Sequence, residues 1–237
     1  MCTVTYLPRA NGDYILTSNR DETPKRAALA PKGYQIGNKQ IYFPKDPLAG
    51  GTWIATDKAR FTLVLLNGGF EKHSHKPPYR RSRGLMLLDF FAFERAESFA
   101  SDYDFEGIEP FTLIILDSNK ETKVSQLVWA GDKLDYKSLN NDTPYIWSSS
   151  TLYPDPVRLE RKTWFDKWLK ERNDFKQEEI IDFHLNGGKG DAWNDFVMDR
   201  NGEVKTVSLT SIEKSRDRIE MTHLDLLKEK GAVGTLS

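Results

Sequence analysis

Cysteine, long apolar runs and an excess of either charge are all scarce in this chain, and each shortage closes a class of function. One cysteine among 237 residues rules out an intramolecular disulfide and a thiolate zinc site. Lysine and arginine total 34 against 35 acidic residues, a net charge of -1. There is thus no broad basic footprint for nucleic acid or an anionic membrane. No apolar run approaches the roughly 18 residues of a membrane-spanning helix, and MCTVTYLPRANGDY lacks the basic-then-apolar pattern of a secretory signal. The expectation is a cytoplasmic protein of a reducing compartment, with no membrane span and no nucleic-acid partner.

Enough remains to build a core. Hydrophobic residues make up 38% and charged residues 29%, a globular composition. With no internal repeat, low-complexity tract or interdomain linker, a single domain over residues 1–237 is expected.

Strand patterns dominate the first third. Cys2 to Leu7 and Tyr14 to Thr17 flank the turn Ala10-Asn11-Gly12-Asp13 and read as a hairpin. Pro24 to Gly33 reads as a loop, followed by strands at Gln40 to Phe43, Thr52 to Thr56 and Phe61 to Leu66. From Ser82 the period changes: Leu85, Leu88, Phe91, Ala92, Ala96 and Phe99 predict one amphipathic helix to about Ser101. Strands follow at Phe111 to Leu116, Val124 to Trp129 and Tyr145 to Trp147. After Pro154-Asp155-Pro156 a charged helix carries Leu159, Trp164, Phe165, Trp168 and Leu169 on its apolar side. The Trp164–Trp168 spacing suits core packing rather than a cofactor box. A second helix, Glu178 to Leu185, stops at Asn186-Gly187-Gly188. Strands near Phe196 to Met198, Val204 to Leu209 and Arg218 to Thr222 close the chain before a short tail. Hairpins in series with helices in blocks predict an α+β fold with antiparallel sheets.

The lone cysteine stands directly after the initiator methionine. Removal of Met1 would leave Cys2 with both a thiol nucleophile and a free α-amino group, whose reference pKa of roughly 7.7–8.0 suits proton transfer at neutral pH. The competing reading is a small, buried strand residue. Ser18-Asn19-Arg20-Asp21-Glu22 ends the second strand, and a hairpin returns such a segment beside the first. A carboxylate there would hold an α-ammonium and a guanidinium would favour a thiolate; four polar residues at a strand end also make a solvated turn. Gly50-Gly51-Thr52-Trp53 permits close backbone approach or a plain turn before a core tryptophan. Leu66-Asn67-Gly68 offers an amide donor to an oxyanion or an Asn-Gly turn.

Met1-Cys2, Asn19-Arg20-Asp21-Glu22, Gly50-Gly51-Thr52-Trp53, Leu66-Asn67 and Ser82-Arg83-Gly84, in that order, resemble the NRDE family, which includes the transport-and-Golgi-organisation proteins of eukaryotes. That family is similar to the N-terminal-nucleophile (Ntn) hydrolases of the choloylglycine hydrolase and penicillin V acylase type. The resemblance implies a four-layer αββα sandwich and cleavage of a non-peptide C–N amide bond. It makes Cys2 the nucleophile, Asp21 the anchor of its amino group and Asn67 part of the oxyanion hole. The acylase arginine three residues before the aspartate is replaced by Ser18, so Arg20 stands in from a neighbouring position. A later acylase asparagine corresponds to Ser149, and a late arginine has no counterpart in Lys189-Gly190-Asp191-Ala192-Trp193-Asn194.

Asn19, Trp53, Arg83 and Ser149 are the candidate substrate contacts, and no cofactor or metal is expected. His73 and His75 alternate in a polar loop and read as solvated rather than as metal ligands. Tyr79-Arg80-Arg81-Ser82-Arg83 is a local basic cluster that either pairs with acidic neighbours or meets an anionic substrate group. Two functions follow. One is an N-terminal-cysteine amidohydrolase acting on a small linear or cyclic amide. The other is a non-catalytic carrier of an amphipathic ligand, lipid or haem, in the same cleft.

Overall fold

A computed structural model describes residues 3–216, 218–228 and 232–236, the last stretch by its backbone alone. Cys2 lies outside the described residues. Two antiparallel sheets stack face to face. The first takes β1 (Thr3–Pro8), β2 (Tyr14–Glu22), β10 (Tyr145–Ser148), β11 (Asp199–Arg200), β12 (Val204–Ser215), β13 (Arg218–Asp225) and β14 (Ala232–Leu236). Their order is β10-β1-β2-β12-β13-β14, with β11 beside β12. The second is a meander of β3 (Leu29–Ile36), β4 (Lys39–Lys45), β5 (Ile54–Thr56), β6 (Phe61–Asn67), β7 (Phe111–Asp117), β8 (Lys123–Trp129) and β9 (Leu134–Leu139).

Period-two alternation divides these strands between three cores. Val4, Tyr6, Leu16, Val64, Leu66 and Ile114 meet between the sheets. Phe61, Leu63, Leu65 and Leu113 face α1 (Arg83–Asp89) and α2 (Ala96–Asp102). Leu7 and Ile15 face α3 (Asp155–Lys170) and α4 (Gln177–Asn186) through Phe165, Trp168 and Phe183. Burial on both faces is why Phe61 to Leu66 is nearly all apolar. The layers run helix, sheet, sheet, helix: the expected αββα sandwich.

Several boundaries differ from expectation. The single helix over Ser82 to Ser101 is two helices, separated by a short 3-10 turn at Phe90–Ala92 and an extended Phe93. Phe93 breaks out to pack edge-on against Phe99, so aromatic packing overrides helical period. Part of the expected Pro24–Gly33 loop is strand β3, which tolerates Pro31 because it lies on the sheet edge beside an irregularity between Leu29 and Lys32. β2 runs on through Glu22 because β12 pairs with it along its whole length. Phe196 to Met198 is not strand; the pairing starts at Asp199, and Phe196 instead packs into the α3–α4 core. Leu159, expected on the apolar side of α3, is 65% exposed.

Candidate functional site

The sandwich opens at the edge where β1 begins and β2, β6 and β10 end. Thr3 pairs with Asn19 on one side and Ser148 on the other. The next residues of β2 pair with β12, Arg20 with Ser208 and Asp21 with Thr206, across a register shift at this point. Alternation sends Asn19 and Asp21 towards α3 and α4, and Ser18 and Arg20 between the sheets.

Asp21 is buried, and its oxygens accept from two hydroxyls: Tyr153 Oη to Oδ2 at 2.7 Å and Thr206 Oγ1 to Oδ1 at 2.6 Å. Asn19 donates through Nδ2 to the His184 and Phe196 carbonyls at 3.1 and 2.8 Å. Its Oδ1 can only accept, so His184 donates from Nδ1 at 2.9 Å and accepts a hydrogen bond from the Thr5 hydroxyl at Nε2, 2.8 Å away. Burial, with the Arg161 charge adding to it, pushes His184 down to about 3. It is a neutral structural link.

Arg161 of α3 is fully buried. Its guanidinium lies 3.6 Å from the centre of the Tyr153 ring and donates to Thr3 Oγ1, to the Asn194 carbonyl and to the Asp195 carbonyl at 2.6 Å. No carboxylate pairs with it among the described residues. It therefore ties three things together: the start of β1, the Tyr153–Asp21 pair and the 194–195 segment.

On the inter-sheet side a cleft of about 320 Å³ is lined by Arg20, Arg26, Trp53, Asn67, Arg83 and Glu109, among others. Arg20 is buried with its guanidinium 4.6 Å from the Trp53 ring centre, and it donates to Asp46 Oδ2 at 2.9 Å and the Arg26 carbonyl at 2.5 Å. Arg26 bridges Asp46 at 2.5 Å and Glu22 at 3.0 Å. Arg83 pairs with Glu109 at 3.0 Å and donates to the Pro110 carbonyl at 3.1 Å. Burial pushes both Arg20 and Arg83 below the ordinary arginine value, against the pull of their carboxylates. Asp46 is raised by burial, but the Ala49 amide, Arg26 and Arg20 outweigh it and hold it low. Glu109 is likewise raised by burial and brought below the ordinary value by Arg83, His73 and His75.

Asn67 borders this cleft and a second cavity of about 420 Å³ that Trp147, Ser149, Phe70, Leu159 and Lys162 help to line. The Ser149 hydroxyl donates to the Asn67 carbonyl at 2.8 Å, joining β10 to the end of β6. Gly68 has φ +87°, and a Cβ there would meet Ser150 Oγ at 2.2 Å. The turn after Asn67 therefore requires glycine. The Asn67 carboxamide itself makes no hydrogen bond among the described residues.

Of the candidate residues, Arg20, Trp53, Asn67 and Arg83 line one cleft, and Ser149 touches Asn67 from the adjoining cavity. Asn19 and Asp21 face the helical layer instead, and Asn19 is engaged there in fixing His184. The basic cluster pairs with acids: Arg81 with Asp89, Arg80 with Asp104 and Arg83 with Glu109. His73 and His75 are not simply solvated, since both bond Glu109 Oε1, at 3.1 and 3.2 Å. Among the described residues no group of three or more His, Cys, Asp or Glu could hold a metal ion, and no helix is long and apolar enough to cross a membrane. Arg161 and Tyr153 were not foreseen. Arg161 stands at i, i+4, i+7 with Phe165 and Trp168, and a charge on the apolar stripe of a helix was the signal.

The sequence profile of the family described as Transport and Golgi organisation 2 matches residues 1–222. No individually curated protein matches the chain. Among solved structures, the chain is similar to a Caenorhabditis elegans ortholog of N-acylethanolamine-hydrolyzing acid amidase, with TM-score 0.59 and 13% identity, covering 89% of this chain and 92% of that one. A variant of conjugated bile acid hydrolase from Clostridium perfringens aligns with TM-score 0.58 and 11% identity, over 100% and 92%. Penicillin V acylase from Agrobacterium tumefaciens aligns with TM-score 0.57 and 9% identity, over 100% and 86%. At these identities the likeness establishes the Ntn-hydrolase sandwich.

Proposed function

The chain belongs to the Transport and Golgi organisation 2 family, and from that premise we propose that it is an N-terminal-cysteine amidohydrolase cleaving a C–N amide bond of a small molecule. The observation that carries the reading is the strand register. Thr3, covalently attached to Cys2, pairs with Asn19, and Asp21 follows two residues later on the same strand. The solved structures of the same fold bear the names of an amidase, a hydrolase and an acylase, which agrees with it.

In this reading Met1 is removed. The Cys2 sulfur attacks the amide carbon while the new α-amine takes the thiol proton. A carbon–sulfur bond forms, and charge gathers on the carbonyl oxygen, where the unengaged Asn67 amide donates. The amine leaves with the proton returned by the α-amino group. Water, deprotonated by the same group, releases the acid from the thioester and regenerates the thiol. Asp21, held by Tyr153 and Thr206, anchors the α-ammonium. Arg20 keeps the surroundings positive, which favours the thiolate.

Intact-mass analysis tests this. Processed protein treated with a β-lactone probe should gain one acyl group, and Cys2→Ala should gain none. Equal labelling of both would overturn the reading.

A second reading, a non-catalytic carrier of an amphipathic ligand such as lipid or haem, is favoured by the Asn67–Ser149 cavity. There Phe70 and Trp147 stand beside Arg158 and Lys162. Titration with haem separates the two. A saturable spectral change that survives Cys2→Ala and is lost on Trp147→Ala supports a carrier. No spectral change, with no lipid copurifying, counts against it.

A further inference from the structure

In a chain beginning at Cys2, anchoring the α-amine and using it as a base are conflicting demands. A carboxylate at close range favours the ammonium. To take the thiol proton the same nitrogen must be neutral, and its reference pKa of roughly 7.7–8.0 leaves little room. A buried Asp21 acting alone would keep the proton on the amine.

Asp21 does not act alone. Tyr153 donates to its Oδ2 at 2.7 Å and Thr206 to its Oδ1 at 2.6 Å, so each oxygen shares its charge with a hydroxyl. Two guanidinium groups stand over the buried Tyr153 ring, Arg161 at 3.6 Å and Arg200 at 5.4 Å from its centre. Neither has a carboxylate partner among the described residues. Arg161 donates to Thr3 Oγ1 and to the Asn194 and Asp195 carbonyls. Arg200 donates to the Trp193 and Leu152 carbonyls at 3.3 and 3.1 Å. The other charges on the surrounding elements are engaged elsewhere. Asp191 and Asp195 accept from amides of their own loop, Lys189 pairs with Glu160, and Lys205 pairs with Asp199. Glu22 pairs with Arg26, and Arg20, on the other face of β2, pairs with Asp46. His184 is neutral, held at about 3 by burial and Arg161. Two cations therefore stand against one carboxylate, and one of them touches Thr3, the residue joined to Cys2.

We propose that Arg161 and Arg200 are positioning residues that act, beside and through the Tyr153 phenol, to offset the Asp21 carboxylate, so that the Cys2 α-amine is held in place yet sheds its proton near neutral pH. The proposal rests on the amidohydrolase reading only for the use of that amine as a base. A cation over an aromatic face draws on the electron density of the ring, which makes the phenol a stronger donor to Asp21. The carboxylate then pulls less on the ammonium. Arg161 also acts directly, because a like charge close to the chain start disfavours the protonated amine. The half-buried Arg200 works through the ring.

The amine itself can be titrated. Full-length protein beginning at Cys2 is released from a cleavable N-terminal fusion after labelling with carbon-13 cysteine. The chain has one cysteine, so one set of signals appears, and capping the thiol as its methyl disulfide leaves the amine to titrate at Cα. The wild-type midpoint should lie below the roughly 7.7–8.0 reference. Arg200→Gln and Tyr153→Phe should each raise it by about half a pH unit, whereas Arg200→Lys, which keeps the charge, should leave it near wild type. Arg161→Gln should raise it by about one unit; should that variant fail to fold, the Arg200 pair decides alone. Midpoints that agree across wild type, Arg200→Gln and Tyr153→Phe overturn the proposal, as does a wild-type midpoint above the reference range. Equal loss of thermal stability in Arg200→Gln and Arg200→Lys, with no movement of the midpoint, assigns Arg200 a purely structural part and overturns it too. Labelling by the β-lactone probe is read separately. Shifted midpoints without labelling support the proposal and remove the amidohydrolase reading, while labelling with unmoved midpoints does the reverse.

Discussion

Gly51 and Gly84 meet backbone to backbone: a methyl group on Gly51 would lie 2.4 Å from the Gly84 carbonyl carbon, and one on Gly84 2.7 Å from the Thr52 carbonyl oxygen. The Thr52 amide bonds the Gly84 carbonyl at 3.3 Å. Two sequence motifs thirty residues apart are thus one joint, fastening the entry to β5 onto the first turn of α1. Gly50 differs: its φ is +72°, but nothing lies within 4 Å of where its Cβ would stand.

Alanine separates the two kinds of glycine. Gly51→Ala must push backbone apart and should cost about 3 kcal/mol, at the upper end of overpacking. Gly50→Ala meets only the left-handed backbone penalty of roughly 1–2 kcal/mol. Urea unfolding midpoints should therefore order wild type, Gly50→Ala, Gly51→Ala. A Gly51→Ala midpoint equal to that of wild type would show that the joint is not tight.

Tyr153→Phe removes a hydroxyl that donates to a buried carboxylate and leaves the ring under Arg161 in place. A loss of about 1–3 kcal/mol is expected from the lost donor, measured by urea denaturation. That loss should differ between protein that keeps Met1 and protein processed to Cys2 if Asp21 acts on the freed α-amine, and urea denaturation of both forms with and without Tyr153→Phe reads the coupling.

Arg161→Lys keeps a charge but loses the planar fork that serves Thr3, Asn194 and Asp195 together. A cost of about 2–4 kcal/mol is expected, because two carbonyls lose a buried charged donor and the stack on Tyr153 is lost. A thermal melt within a degree of wild type would argue against Arg161 as a fastening point.

Acid should weaken the fold before its carboxylates titrate. Burial, with Arg161 adding, holds His184 at about 3. Burial also brings His223 to about 4, with Asp225 opposing and Arg20 adding. Both histidines take up protons near pH 6.5 in the unfolded chain. Above that value neither changes stability. Below it the unfolded state binds protons that the native state refuses, so stability falls down to the folded values, by up to about 1.4 kcal/mol per pH unit per histidine. Asp46 and Glu109, held low in the fold, add their own loss only below about pH 4.5. Urea midpoints at pH 7 and pH 5 should differ for wild type, and His184→Gln should narrow the difference. A wild-type midpoint unchanged at pH 5 would contradict the burial of both rings.

The sandwich and much of the candidate cleft were legible because period-two strands and glycine joints leave local marks. The β1–β2 hairpin, Asn67 at a strand end and the Gly51 approach could each be read from neighbouring residues. What could not be read depends on distant partners. β2 continues through Glu22 only because β12, nearly two hundred residues later, pairs with it. Phe93 interrupts a helical pattern because Phe99 and Tyr103 offer it a better contact. Asn19 looked like a site residue by its neighbours and proves to be a bracket for His184, a role set by α4.

Asn67 stands in the wall common to the arginine cleft and the Ser149 cavity, and thermodynamics attaches a condition to that position. Any occupant of one chamber that shifts this amide alters affinity in the other, and by reciprocity the second occupant alters the first by the same factor. Fragments offered to the two chambers separately will therefore not report what a joined molecule does, and the difference between their summed and joined affinities is a direct reading of how stiffly one asparagine is held.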